Sequence, residues 1–437
     1  MASRRLDRLR LPVPRATWTL IDQAILSIGT FLLGIVLARH ISLDAYGHYA
    51  LFLGVLGLMN AGTGSLIFYP MTVHATVMGA RERAGLVLST LLLTLVFCAG
   101  LAVLLGLVIW RFVDPALLVP ATCVFFAGQL QEATRRGLLS AFRHRDAIVG
   151  DAISFLGQLA VLFALMQVTP LDLAMALYAI SFTSLLGACV QVAQLGLAGA
   201  TPAPIARTLR DFWSLGRWSL GSNILLVARG AVLPWLLAAL SGPAAAGVFQ
   251  LVMNIVNVMN PVTIGLSNVI PQAAARAKAE GTGSALRQAW PYMAAGLPIV
   301  GLMTLLIIAV PDLIAHLVYG EAIPDPQAVA ALRIMAIAGL FGYVAAASCA
   351  YLYGTGDGRT AMIGDVATSL AALVPVYPLV LAYGLAGACL AGALAMVVRA
   401  AWMIAIIARR LIAERRGAAA GCSRAPVRSE PAAELPA

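Results

Sequence analysis

The stretch GLVLSTLLLTLVFCAGLAVLLGLVI, residues 85–109, contains no charged side chain. A helix needs about 20 consecutive apolar residues to cross the hydrocarbon core of a bilayer, so this stretch predicts a membrane-spanning helix. Backbone polar groups have no water partners in lipid and must be satisfied within their own segment, which favours helices throughout a chain of such stretches.

The whole chain has the same character. It has 437 residues, of which 61% are hydrophobic and 11% charged, with a mean hydropathy of +0.90. Soluble domains carry about 25% charged residues, so lipid must solvate most of this surface. The composition excludes a cytosolic enzyme, a secreted domain and a nucleic-acid-binding protein, although the net charge of +10 would suit the last.

Apolar runs separated by charges, proline and glycine predict an all-α polytopic membrane protein with twelve spans and no large soluble domain. The predicted spans lie near 17–38, 46–68, 85–109, 116–134, 147–168, 172–195, 217–240, 245–270, 289–314, 328–352, 360–382 and 386–408. The boundary at Tyr383–Gly384 is the least well defined.

Basic residues indicate the orientation. If the amino terminus is cytoplasmic, the arm 1–16, alternate loops and the tail 409–437 hold most of the 29 lysines and arginines, whereas the outer loops hold Arg39 and Arg111. Positive charge concentrates on the cytoplasmic side, so both termini are predicted to lie there. The arm is expected to be retained, and the Ala-, Pro- and Gly-rich tail to be disordered.

Two internal matches predict a six-plus-six repeat. Trp18 and Gly47 match Trp218 and Gly247 at an offset of 200, and the segment 145–151 matches 359–365 at an offset of 214. The predicted halves are a lobe at 17–195 and a lobe at 217–408, joined by a cytoplasmic linker at 196–216. Parallel halves of this kind are typical of transporters with a binding site between them.

The residues around the second span resemble a known family. Span 1 ends with Leu37-Ala38-Arg39, and span 2 begins with Asp44-Ala45-Tyr46-Gly47-His48-Tyr49. Further similarity lies at 131–136, 257–261 and 271–274. These motifs resemble the polysaccharide-biosynthesis flippases of the multidrug/oligosaccharidyl-lipid/polysaccharide (MOP) exporter superfamily. The resemblance implies a bacterial inner-membrane protein that moves undecaprenyl-pyrophosphate-linked oligosaccharides outward by alternating access, for O-antigen, exopolysaccharide or capsule synthesis. Implied partners are that substrate, membrane lipids and other polysaccharide-assembly proteins.

Arginines within spans are the first candidate site residues, because a charge in hydrocarbon costs several kcal/mol. Arg229 lies near the middle of span 7, and its guanidinium fork suits a pyrophosphate. The alternative is a structural ion pair with Asp22 or another acid. Ser222 and Asn223 add polarity beside Arg229, and Arg399 in span 12 is a candidate for the same cavity. Arg39 and Arg333 lie near the outer ends of their spans, where their side chains can reach the surface.

Polar stripes on two spans form the second candidate. Gln23, Ser27, Thr30 and Gly34 share one face of span 1, with Asp22 adjoining. Span 8 carries four amides, namely Gln250, Asn254, Asn257 and Asn260. Because the two spans belong to different halves, a shared wet cavity for sugar hydroxyls is expected. The alternative is hydrogen-bonded contact between helices.

Acidic residues offer sites for a coupling ion at Asp22, Asp151 and Asp365. The last two are repeat-related, and a structural role is favoured in which each pairs with the arginine six residues earlier, Arg145 or Arg359. The cluster of Glu132, Arg135, Arg136, Arg143 and Arg145 is expected to face the cytoplasm as an ordinary topology determinant. The alternative is that it attracts anionic lipid headgroups.

No pattern indicates an enzyme. The five histidines and six cysteines show neither metal-ligand spacing nor a C-x-x-C pair, and no phosphate-binding glycine loop is present, so no cofactor or metal is expected. The chief rival function is a cation-coupled multidrug antiporter of the same superfamily. A major-facilitator transporter and a lipid-embedded glycan polymerase or ligase are weaker rivals.

Overall fold

A computed structural model describes residues 15–76, 78–320 and 326–422. Every regular element in these ranges is helical, and eleven helices are long and apolar enough to cross a membrane. The prediction of an all-α polytopic fold is therefore confirmed.

The long helices are numbered α1–α12 in chain order. They are α1 Arg15–His40, α2 Leu43–Thr76, α3 Ala80–Phe112, α4 Pro115–Ser140, α5 His144–Met166, α6 Leu173–Leu195, α7 Ile205–Ser241, α8 Pro243–Arg276, α9 Thr282–Ala309, α10 Pro326–Gly354, α11 358–383 and α12 385–422. A short helix, Pro311–Tyr319, connects α9 to α10. Local irregularities occur at the π-helical turn Gly64–Phe68, at Leu156, at the 3₁₀ turn Asn257–Met259 and at 374–375.

Gly384 explains why twelve helices give eleven long apolar segments. Its backbone has φ 53° and ψ −125°, which interrupts the helical run Val376–Cys422. Gly387 then lies against the carbonyl oxygen of Leu379, so the chain reverses direction here. Gly384 occupies a conformation that side chains disfavour, and glycine is the residue that reaches it at no steric cost. The boundary between α11 and α12 thus lies at Gly384, where hydropathy alone defined the end of a span least well.

Two helices extend beyond their predicted limits. α7 begins at Ile205, inside the predicted linker 196–216, because Phe212 is buried and its ring stacks on His74. One face of this amphipathic segment therefore packs on the amino-terminal half. α12 continues through Cys422, well into the predicted tail 409–437, since good helix formers without proline follow Arg409.

The helices form two lobes with separate hydrophobic cores. One core lies among α1–α6, called the N lobe, and the other among α7–α12, called the C lobe. α2 packs along α7, and the start of α2 crosses the start of α8. These helix starts lie at the end of the bundle opposite to where α1 begins, which is called here the distal end; the other is the proximal end.

The distal crossing of α2 and α8 is reciprocal. Gly47 lies against the carbonyl of Pro243, and Gly247 lies against the carbonyl of Leu43. Each residue of one contact is 200 positions from its counterpart in the other, so the contact repeats across a pseudo-two-fold axis. Glycine is required on both helices because only a missing side chain lets two helix backbones approach so closely.

Candidate functional site

A cleft of about 470 Å³ lies between α1 of the N lobe and α8 of the C lobe. The 3₁₀ turn Asn257–Met259 and Pro261 interrupt α8 at this level, and the amide nitrogen of Asn260 donates to the Asn257 side-chain oxygen at 3.1 Å. Its polar lining combines the two stripes seen in the sequence, namely Gln23, Ser27, Thr30, Gln250, Asn254, Asn257 and Asn260.

The distal end of this cleft is closed by close packing. A side-chain carbon on Gly34 of α1 would stand 2.7 Å from the Asn254 amide nitrogen, and that nitrogen also approaches the Phe31 carbonyl at 3.5 Å. Asn254 is 8% exposed, whereas Asn257 and Asn260 are exposed. Asn254 therefore packs against α1 and joins the two helices, whereas Asn257 and Asn260 face the open cleft.

An ion network centred on Arg135 occupies the N lobe. The Arg135 guanidinium contacts Asp22 of α1 at 2.5 Å, Asp151 of α5 at 2.9 Å and Glu132 of its own helix at 3.3 Å. Arg136 pairs with the same Glu132 at 2.6 Å. The network ties α1, α4 and α5 together within the membrane-spanning bundle.

This network corrects three expectations. Asp22 pairs with Arg135 and not with Arg229. Asp151 also pairs with Arg135, while the guanidinium of Arg145 lies 5.9 Å from the ring centre of Trp18. α4 continues to Ser140, so it extends past the predicted end of span 4 at residue 134 and includes Arg135. The physical reason is packing: residues 137, 138 and 140 are buried, which extends the helix past the charged run.

A cavity of about 480 Å³ in the N lobe adjoins the network. Glu132 and Arg135 line it together with Gln129, and Thr30 lines both this cavity and the cleft. Three carboxylates, Asp22, Asp151 and Glu132, face two guanidiniums here. Asp22 is 2% exposed and its Oδ1 atom makes no hydrogen bond among the described residues.

The C lobe carries the repeat-related acid in a different pairing. Asp365 of α11 accepts two hydrogen bonds from Arg399 of α12, at 2.6 and 3.2 Å, so the expected pairing with Arg359 is wrong. In both lobes the acid is contacted by the residue sixteen positions earlier in the chain. Arg135 contacts Asp151 in the N lobe, and Cys349 contacts Asp365 in the C lobe. The acid is therefore repeated, whereas the helix that supplies its cation is not.

Arg229 lies beside this second pair. It is half-buried, its Nη1 atom donates to the Ser369 hydroxyl at 3.3 Å, and no carboxylate lies within 4 Å of it in the part of the chain that the structure describes. A guanidinium carries five N–H donors, so most of its capacity is unused. It lies about 15 Å along α7 from Ser219, near the middle of the apolar window Ser219–Ser241.

A small cavity of about 100 Å³ adjoins this cluster, with Asn223, Tyr353, Asp365 and Ser369 in its lining. The Asn223 amide also donates to the Ser65 hydroxyl of α2 at 2.8 Å, which places the cavity at the seam between lobes. The Ser222 side chain lies outside the described residues. Arg229 and Arg399 thus belong to the C-lobe cluster and are not among the residues that line the cleft between α1 and α8.

Arg39 and Arg333, the arginines near the outer ends of their predicted spans, donate hydrogen bonds to backbone carbonyls. Arg39 donates to the carbonyls of Leu317 and Val318, both at 2.8 Å, at the carboxyl end of the short helix. Arg333 donates to the Ile308 carbonyl at 3.2 Å. Arg39 therefore links the lobes distally, which its position in the sequence did not reveal. Among described residues, no group of three histidine, cysteine or acidic side chains is placed to hold a metal.

Comparison with known proteins gives no match by sequence but clear matches by fold. No protein-family model matches the chain, and no curated protein matches its sequence. The fold resembles an inward-facing MATE-family multidrug resistance transporter of the MOP superfamily, with a TM-score of 0.66, 14% identity and coverage of 90% of this chain and 95% of that one.

Two further solved structures are similar. The lipid II flippase MurJ in an inward closed conformation has a TM-score of 0.73 at 11% identity, covering 89% of this chain and 86% of that one. A MOP-superfamily transporter from Pyrococcus furiosus has a TM-score of 0.58 at 15% identity, covering 91% and 94%. At such identity the likeness is one of fold: this chain has the two-lobed, all-helical fold shared by MATE transporters and MurJ.

Proposed function

We propose that this protein is a flippase that moves a lipid-linked oligosaccharide of the undecaprenyl-pyrophosphate type across the bacterial inner membrane by alternating access of its lobes. The observation that carries the proposal is the guanidinium of Arg229, which has no carboxylate within 4 Å among the described residues and lies near the middle of an apolar helix long enough to cross a membrane. An arginine at the centre of a spanning helix costs about 2.5–3.5 kcal/mol on insertion scales. A transient anionic ligand offsets that cost.

The C lobe is the anion-binding side in this proposal. Arg399 is neutralised by Asp365, so Arg229 supplies one uncompensated positive charge. A phosphate oxygen binds a guanidinium through charge-assisted hydrogen bonds. The amides Gln250, Asn257 and Asn260 in the cleft offer donors and acceptors for sugar hydroxyls. A pyrophosphate-linked sugar presents both chemistries in one molecule.

The orientation follows from charge. The proximal end, where α1 begins, is proposed to face the cytoplasm because the basic ends of the helices cluster there. The cleft is closed distally at Gly34 and Gly47, so substrate enters from the proximal side and the inner leaflet. Export follows when the distal crossing of α2 and α8 separates. The proposed role is the assembly of a surface polysaccharide, together with the enzymes that build and polymerise it.

A direct test is a leaflet assay in vesicles that contain the purified protein and an undecaprenyl-pyrophosphate-linked oligosaccharide. A hydrogen bond to a charged group contributes about 1.5–3 kcal/mol, so we expect Arg229→Gln to slow flipping by about tenfold or more. Arg229→Lys restores part of the rate. Arg333→Gln is the matched control, since Arg333 contacts only a backbone carbonyl. Wild-type flipping by Arg229→Gln, at equal protein level, would overturn the proposal.

A second candidate function is a cation-coupled exporter of small molecules. The surplus carboxylate of the N lobe favours it, because Asp22, Asp151 and Glu132 face only two arginines. Such a site takes up a proton or a monovalent cation. Efflux of a cationic dye that depends on a proton or sodium gradient and is lost in Asp22→Asn supports this second candidate; its absence beside active flipping supports the first.

A further inference from the structure

A second, apolar groove opens on the outer surface of the C lobe at the proximal end. It has a volume of about 390 Å³ and lies between α9 and α12, with α10 as its floor. The floor includes Tyr343 and Ser348, which are 2% and 3% exposed. The Tyr343 hydroxyl donates to the Met293 carbonyl at 2.7 Å, so the floor presents no unsatisfied hydroxyl there.

The groove is a recess built by helix geometry. α9 and α12 both pack on α10, but they meet each other at their proximal tips, where the Glu414 carboxylate accepts from the Gly283 backbone nitrogen at 3.1 Å. Beyond this clamp the groove separates the two helices. Pro291 and Pro298 lie within α9 along the groove, and each lacks the backbone N–H that a helix interior uses. The separated helices leave apolar walls, and apolar surface without a partner is unfavourable in contact with water or polar headgroups.

The dimensions match one lipid leaflet. The α9 wall runs from Leu286 to Leu297, which is about 16 Å at 1.5 Å per residue. Half of the roughly 30 Å hydrocarbon core is about 15 Å. Trp290, 56% exposed, lines the groove about two turns from the start of α9. Exposed aromatic residues near helix ends are typical of membrane interfaces. The groove is therefore long enough for one acyl chain of the proximal leaflet.

Three exposed basic residues lie on the two helices that wall the groove, α9 and α12. Arg287, Arg409 and Arg416 are exposed and make no ion pair or side-chain hydrogen bond among the described residues. The nearby acids are engaged, because Glu414 binds Gly283, Ser284 donates to Glu280, and Asp357 pairs with Arg410. A basic rim above an apolar groove complements an anionic headgroup with attached acyl chains.

We propose that this groove is a binding site for an anionic diacyl phospholipid of the proximal leaflet. One acyl chain lies between α9 and α12 on the α10 floor, and the phosphate lies beside Arg287. The bound lipid fills the gap between the two helices and so supports the C lobe. This site is separate from the cleft between α1 and α8 and does not depend on which substrate the protein carries.

The test measures lipid binding to the purified full-length protein by native mass spectrometry, with phosphatidylglycerol and phosphatidylcholine of identical chains. We expect the wild type to retain phosphatidylglycerol in preference to phosphatidylcholine, and Arg287→Gln to weaken phosphatidylglycerol about fivefold, the usual effect of one interfacial arginine. Arg81→Gln, an exposed arginine of the N lobe, is the matched control. Equal retention of the two lipids by the wild type would overturn the headgroup assignment.

The groove itself is tested by filling it. Ala408 lines the groove, whereas Ala405 on the same helix is exposed but lies outside it. We expect Ala408→Leu to lower retention of both lipids by at least tenfold and Ala405→Leu to leave it unchanged. Equal retention by these two variants contradicts the proposal. Displacement of phosphatidylglycerol from the groove by lipid-linked oligosaccharide, one for one, assigns the groove to the cargo and also contradicts it.

Discussion

The reciprocal glycine contact between α2 and α8 predicts how one substitution shifts the conformational equilibrium. In Gly247→Ala the new methyl carbon would stand 2.5 Å from the Leu43 carbonyl oxygen, whereas ordinary contact begins near 3.4 Å. The two backbones must therefore separate by about 0.9 Å. Overpacking of this kind costs about 1–3 kcal/mol. In the proposed alternating-access cycle α2 and α8 touch only when the distal end is closed. The cost then falls on that state alone and shifts the equilibrium about 5- to 150-fold toward distal opening.

Spin-label distance measurements check this prediction. Labels replace Val168 in the α5–α6 loop of the N lobe and Leu313 on the short helix of the C lobe, both exposed distally, in a cysteine-free background. The distance distribution of Gly247→Ala should gain a longer component. Gly265→Ala is the control, since Gly265 is also in α8 but has open space around it and gains the same helix propensity. Identical distributions for the two variants would refute the reasoning.

Two further predictions concern ion pairs. Asp151→Asn removes a fully buried partner of Arg135 and should lower the free energy of unfolding by about 3 kcal/mol. Asp146→Asn is the control, because Asp146 is in an exposed pair with Arg143, and it should change the free energy of unfolding by less than about 1 kcal/mol. Thermal unfolding in detergent compares the two variants, and equal midpoints would contradict the structural role of Asp151. Arg39→Gln removes a cation from the carboxyl end of the short helix, an interaction that contributes about 0.3–1 kcal/mol. The closed-to-open equilibrium, measured with the same spin labels, should shift toward distal opening as in Gly247→Ala, by about two- to fivefold. A shift toward distal closure would contradict this prediction.

Hydropathy was sufficient to predict the helices because the requirement for about 20 apolar residues is local. The stretch 85–109 lies within α3, and the other predicted spans have counterparts in the structure. Helix ends were predicted less well, since packing decides them. Phe212 is buried against the N lobe and so extends α7 into the predicted linker, and the buried residues after Arg136 extend α4.

The internal repeat was visible in sequence and has a geometric counterpart. Gly47 and Gly247 matched at an offset of 200, and they meet each other's helices at the distal crossing. Asp151 and Asp365 also matched, but their partners could not be read from spacing. Arg135 and Arg399 reach these acids from α4 and α12, which are not equivalent helices of the two lobes.

The amide stripes were a partial success of pattern reasoning. Helical periodicity placed Gln23, Gln250, Asn257 and Asn260 on faces that the structure brings to one cleft. The same periodicity could not separate Asn254, which packs against α1, from its neighbours, because the difference depends on where Gly34 crosses α8. Arg135 was grouped with Glu132 and Arg136 from the sequence, but its contacts with Asp22 and Asp151 were not predicted.

The amino-acid order alone determined that the chain is helical, immersed in lipid and internally duplicated, because a solvent without water constrains each segment independently of the others. Only the tertiary structure decided which guanidinium meets which carboxylate, and within the described ranges it leaves Arg229 without an acidic partner. The physical reason is range: the free energy of burying a helix in lipid depends on its own residues, whereas an ion pair depends on atoms a few ångströms apart that belong to helices far apart in the chain.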